Sequence, residues 1–231
     1  MKIIGHIKTD FKEKFGIPRQ SGLIDEAKGE IVFEKEFRVP EAFRGIEEFS
    51  HIWVLWQFSE TSECGWSPTV RPPLLGGNKR VGVFATRSPF RPNSMGLSCV
   101  RLEKVEFRKN DGPVLCVSGV DMLDGTPIYD IKPYLPYADS KPDAVGGFTE
   151  KLGERKIDVG IETEEFFALS EEKQLEIVKI LENDPRPSYK TEERLYGMKY
   201  GDWEIGFAYE HGMLIIKSIK KEKRIMEKDY E

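Results

Sequence analysis

The chain has 231 residues, of which 39% are hydrophobic and 32% charged, with 40 acids against 35 Lys and Arg and a formal net charge of -5. That is enough apolar content for a core in one or two domains, and the acidic balance excludes a uniformly basic nucleic-acid coat. The longest apolar runs, such as HIWVLW, fall far short of the roughly 20 residues that span a bilayer, and residues 1–5 begin a strand-like segment without a signal-peptide core, so a cytoplasmic protein is expected.

Taken in chain order, the first half reads as strand after strand: IIGHIKT (3–9), GEIVFEK (29–35), HIWVLWQFS (51–59), RVGVFATR (80–87), LSCVRLEKVEFR (97–108), PVLCVSGVDML (113–123) and PIYDIKPY (127–134). Each is rich in β-branched and aromatic residues and bounded by Gly or Pro. Only PEAFRGIEEF (40–49) has a helical look there. Asn110-Asp111-Gly112 marks a hairpin turn. Seven short strands without interleaved long helices predict an antiparallel sheet closed into a barrel.

Past about Gly147 the pattern changes. LSEEKQLEIVKILEND places Leu175, Val178 and Leu181 at helical spacing behind Ser170, a good N-cap. DWEIGFAYEHGMLIIKSIK then alternates as two strands about a turn at residues 210–213, and KKEKRIMEKDYE (220–231) reads as an exposed tail. The expected fold is mainly β: an N-terminal antiparallel β-barrel (1–148) and a small C-terminal α+β domain (149–231).

The chemistry is concentrated in loops. Cys64, Cys99 and Cys116 are an odd number without CxxC spacing, which points to buried thiols and to neither a disulfide framework nor a metal site. His6, His51 and His211 are scattered, and no Walker, GxSxG or HExxH pattern occurs. Between Cys64 and Leu102, however, stand Arg71, Lys79, Arg80, Arg87, Arg91 and Arg101 with no Asp or Glu among them. Either these cations pair with acids from elsewhere in the fold, or they face one anionic partner. Loops rich in Pro, Gly, Arg and acids fall at predicted strand ends, which a barrel would gather at one mouth.

Six stretches carry a resemblance: FKEKFGIPRQSGL, FSHIWVLW, WSPTVRPPLLGGN, VGVFATRSPFRPNSMGLS, DMLDGTPIYDIKPYLP and NDPRPSY. In this order, over residues 4–217, they resemble the tRNA methyltransferases that act on N6-threonylcarbamoyladenosine beside the anticodon. The resemblance implies a β-barrel enzyme, a homodimer with a small C-terminal domain, S-adenosylmethionine as cofactor, and the anticodon stem-loop of tRNA, with position 37, as substrate.

Carried over by position, the cofactor contacts fall on Pro18, Arg19, Gln20, Ser59, Glu60, Arg87, Leu97, Leu123, Asp124, Gly125 and Thr126. Arg87 suits a carboxylate, Asp124 suits ribose hydroxyls or an ammonium, and Gly125 permits close backbone approach. Arg71, Arg91 and Lys132 are expected to face RNA or the threonyl carboxylate. Asp130 and Tyr134 are candidates for accepting the N6 proton, and Trp66, Tyr134 and Tyr137 are either stacking platforms or core. Two other readings remain open: a noncatalytic RNA- or nucleotide-binding barrel, and a hydrolase built on Asp124 and His6.

Overall fold

A computed structural model describes residues 1–61, 64–152, 156–186 and 194–221. Six strands close an antiparallel barrel: β1 (Gly5–Thr9), β2 (Lys28–Phe33), β3 (His51–Gln57), β6 (Met95–Arg108), β7 (Gly112–Ser118) and β8 (Pro127–Pro133), in the order β1-β2-β7-β6-β3-β8. Closure follows from strict alternation. Ile52, Val54 and Trp56 on β3 face inward against Ile7, Ile31, Val100, Val117 and Ile128, while the residues between them face out. The β6–β7 hairpin turns at Gly112, whose φ of 67° lies in the left-handed region that a side chain resists.

The predicted strand at 80–87 is not part of this barrel. Only Val81–Gly82 (β5) pairs, with Thr69–Val70 (β4), and the chain then enters a 3-10 turn, Val83–Ala85. Because the six other strands close on themselves, no free edge remains to accept a seventh. PEAFRGIEEF likewise gives two 3-10 turns, Pro40–Phe43 and Ile46–Glu48, interrupted by Gly45 at φ 84°. None of the three cysteines is buried. Cys64 is exposed on a loop, and Cys99 and Cys116 are half-buried on the outer face of β6 and β7.

A short helix α1 (Pro136–Asp139) follows β8, and the C-terminal part is a four-stranded sheet, β10 (Leu195–Tyr200), β11 (Trp203–Glu210), β12 (Met213–Lys221) and β9 (Val159–Ile161), in that order, with helix α2 (Glu171–Glu182) beside it. The β11–β12 hairpin turns where the sequence predicts, but β9 and β10 have no clear signal in the sequence. Ser170 caps α2 by accepting the Lys173 backbone N–H at 3.3 Å. The buried stripe is rotated from the expected one: Glu176, Ile177, Ile180 and Leu181 are buried, whereas Leu175 is exposed. Beyond Lys221 the predicted tail lies outside the described residues, as do the last three residues of NDPRPSY.

Candidate functional site

At one mouth of the barrel a cavity of about 510 Å³ opens between the segment after β1, the end of β3, the 86–91 loop, the start of β6 and the segment leading to β8. These are strand ends, so their loops converge because the barrel brings them together and not because they are neighbours in sequence. Pro18, Arg19 and Gln20 line one side; Ser59 and Glu60 line another; Arg87, Leu97, Leu123 and Thr126 complete the ring of expected contacts. Trp56 and Phe58, whose rings lie 4.3 Å apart, form an apolar wall. Gly96 is obligatory beneath that wall: a Cβ there would sit 2.2 Å from the Trp56 indole.

Arg87 is exposed at the rim, where its guanidinium donates to the Gln20 side-chain carbonyl. Arg19 donates to the main-chain carbonyls of Asp184 (3.5 Å) and Arg186 (3.3 Å), tying the C-terminal part to the cavity. Asp184 takes a left-handed φ of 46°, and its carboxylate holds Arg186 at 2.8 and 2.9 Å, which shapes the turn carrying both carbonyls.

Asp124 and Gly125 are not in the cavity lining. The Asp124 carboxylate accepts the Thr9 backbone N–H at 2.9 Å and Lys12 Nζ at 2.8 Å, and Gly125 turns the chain with φ 76°. His6 Nδ1 lies 3.1 Å from Glu34, so His6 and Asp124 are each engaged elsewhere and form no hydrolytic pair. Asp130 and Tyr134 also lie away from the cavity wall. Asp130 accepts the Ile131 N–H and pairs with Lys132 at 2.9 Å, and Tyr134 packs at an angle against Trp53.

The basic segment divides by role. Arg91 lines the cavity but donates to the carbonyls of Thr86 (2.6 Å) and Val83 (3.4 Å), so it braces its own loop. Arg80 is held by Thr69, and Arg101 lies 3.4 Å from Glu103. Arg71 and Lys79 are exposed. Trp66 and Tyr137 are 56% and 87% exposed, which rules out the core role for both and leaves their rings open to stacking.

Sequence reasoning missed Asp121. It lines the cavity three residues before Asp124, accepting the Ser98 hydroxyl at 2.6 Å. Burial pushes its carboxyl above the ordinary range, against the pull of Ser98, its own and the Ser21 backbone N–H, and Arg87. The available signal was a lone acid in the apolar run PVLCVSGVDML. Among the described residues no group of three or more His, Cys, Asp or Glu is placed to hold a metal ion, and no helix is long and apolar enough to cross a membrane.

Residues 6–140 match the family model described as the tRNA-methyltransferase O N-terminal domain, and residues 161–222 match the TrmO C-terminal domain. A tRNA (adenine(37)-N6)-methyltransferase of Escherichia coli K12 is 46% identical over 206 residues, 87% of each chain. A probable S-adenosyl-L-methionine-binding protein of Pyrococcus abyssi is 38% identical over 167 residues, 72% of this chain and 84% of that one. The crystal structure of TrmO from Pseudomonas aeruginosa superimposes with a TM-score of 0.75 at 35% identity, covering 94% of this chain and 97% of that one. With both halves matched in order and the barrel shared, the chain belongs to the tRNA-methyltransferase O family.

Proposed function

We propose that this protein transfers the methyl group of S-adenosylmethionine to N6 of adenosine 37 in tRNA, on a base that already carries a threonylcarbamoyl group. The observation that supports this most is the convergence of residues from five separate segments on one cavity at the barrel mouth. Its chemistry suits the cofactor. The volume falls within the usual range for small-molecule sites, Trp56 and Phe58 offer an apolar face, and Arg87 presents a cation to a carboxylate. The Thr61 hydroxyl, buried in the same wall, has no hydrogen-bond partner among the described residues and is available to a polar ligand atom.

Bound there, the cofactor supplies an activated methyl on a sulfonium. The chain supplies alignment: Gln20 fixes the Arg87 fork, Arg91 braces the 83–86 turn, and Pro18 and Leu97 exclude water. With Asp130 and Tyr134 outside the wall, the N6 proton is assigned to solvent at the open mouth. Arg71 and Lys79 face tRNA phosphates, and Trp66 and Tyr137 stack on unpaired loop bases. The exposed apolar residues Phe84 and Phe90 support a homodimer, and the chain is read as one barrel domain to about residue 148 and a second domain beyond it, acting in the cytoplasm.

The test is transfer of label from methyl-tritiated S-adenosylmethionine into tRNA by the wild type and by Arg87→Ala. Saturable incorporation that Arg87→Ala strongly reduces is expected. No incorporation by the wild type would overturn the reading.

A further inference from the structure

Asp121 has a hydrogen-bonding environment that fixes its role as an acceptor. The Trp56 indole N–H can only donate, and it donates to Ser98 Oγ at 2.9 Å. The Ser98 hydroxyl, itself fully buried, therefore turns its proton onto Asp121 Oδ1 at 2.6 Å. The Ser21 backbone N–H also favours the charged form of this carboxyl. Among the described residues no Lys, Arg or His lies within ion-pair distance of Asp121, while the other acid of the cavity, Glu60, is exposed and has Lys14 at 3.7 Å. Arg87 acts on it from beyond ion-pair distance, with its guanidinium turned to Gln20, so this partly buried carboxylate is incompletely balanced and gains from a cationic ligand.

We propose that Asp121 is the counter-charge for the cofactor's sulfonium, and that it sets the preference for the methyl donor over its neutral thioether product. This rests on the cofactor reading above. Two features favour the sulfonium over the cofactor's ammonium. An ammonium needs several hydrogen-bond acceptors, whereas the Ser98 hydroxyl beside the carboxylate is already turned to it as a donor. A sulfonium has no N–H or O–H to satisfy and needs only a field, and the Trp56 and Phe58 rings that line the same wall add favourable aromatic surface for a weakly hydrated cation. The upward push that burial gives the Asp121 carboxyl fits a site whose charge balance is completed by a cation. Once the methyl has left, the sulfur is neutral and this attraction disappears, which favours exchange of product for fresh cofactor.

The experiment is calorimetric titration of the wild-type protein and Asp121→Asn with S-adenosylmethionine and, separately, with S-adenosylhomocysteine. Asp121→Asn should weaken binding of the methyl donor by about tenfold or more, the scale of a charged interaction, while changing product affinity by less than about threefold. Equal losses for both ligands, or no loss for either, would overturn the sulfonium role and leave the cofactor reading standing. Failure of the wild type to bind either ligand would overturn both. If Asp121→Asn does not fold, Ser98→Ala decides: it keeps the carboxylate but removes its orienting donor, so the donor-over-product preference should shrink. An unchanged preference in that variant overturns the proposal.

Discussion

The two acids of DMLDGT, three residues apart, face different surroundings. Asp121 and Leu123 share the face that lines the cavity, whereas Met122 between them is fully buried and the Asp124 carboxylate turns back onto Thr9 and Lys12. The sequence favours Asp124, beside a glycine that suits a tight ligand loop, because face assignment at a strand end depends on where pairing stops. Asp124→Ala is therefore expected to cost about 1–2 kcal/mol of stability, the price of leaving the Thr9 N–H unsatisfied, with cofactor affinity nearly unchanged; urea denaturation and calorimetry on the same variant check both halves. Arg87→Ala should do the reverse, weakening S-adenosylmethionine binding by about 1.5–3 kcal/mol with little change in the melting temperature.

At the level of elements, the barrel was legible because alternating apolar residues and punctuating glycines specify strands locally, as in HIWVLWQ of β3. RVGVFATR misleads for the same reason: its β-branched residues fit a strand, but pairing is a tertiary decision, and the closed barrel offers no edge. The loop it forms instead separates bracing cations such as Arg91 from exposed ones such as Arg71, a distinction no charge count contains. Arg71→Glu should accordingly lower tRNA affinity and reduce the slope of log K against log salt by about 1 or more, with cofactor binding unaffected; filter binding across a salt series reads both. On the outer face, Arg108 of β6 reaches over β7 to Glu30 of β2 through two bonds of 2.8 and 2.6 Å. That contact holds the Glu30 carboxyl below its ordinary value of 4.5. Its stabilisation is thus present above that value and lost as pH falls through the lowered one. Glu30→Gln should flatten the acid side of a melting-temperature profile while the neutral side shifts only slightly.

For the molecule as a whole, the C-terminal part is fastened to the segment that leads into the cavity. Phe11 bridges to Tyr200, the Gly201 N–H donates to the Asp10 carbonyl at 2.7 Å, and the Lys199 N–H donates to Glu13 at 3.0 Å. At the centre, Lys173 of α2 binds Asp10 at 2.7 Å and the buried Glu176, whose other contact is the Tyr200 hydroxyl at 3.2 Å. Burial works against the Lys173 charge, but the two carboxylates outweigh it and hold its proton more tightly than usual. Lys173→Ala strands Glu176 and should cost about 3 kcal/mol, and it should weaken cofactor binding by loosening residues 10–20. The face of α2 was only partly legible: Ile177, Ile180 and Leu181 carry an apolar spacing, but Leu175 and Val178 offer a competing one, and the buried Glu176 is apolar neither by type nor by pattern. The central claim is tested most directly by nucleoside mass spectrometry of two tRNAs incubated with the protein and S-adenosylmethionine: one carrying threonylcarbamoyl at adenosine 37, the other the same transcript unmodified. A methyl group is expected on the threonylcarbamoyladenosine of the first and none on the second, because the proposed substrate is the base that already carries the threonylcarbamoyl group. Equal methylation of both, or of neither, would contradict it.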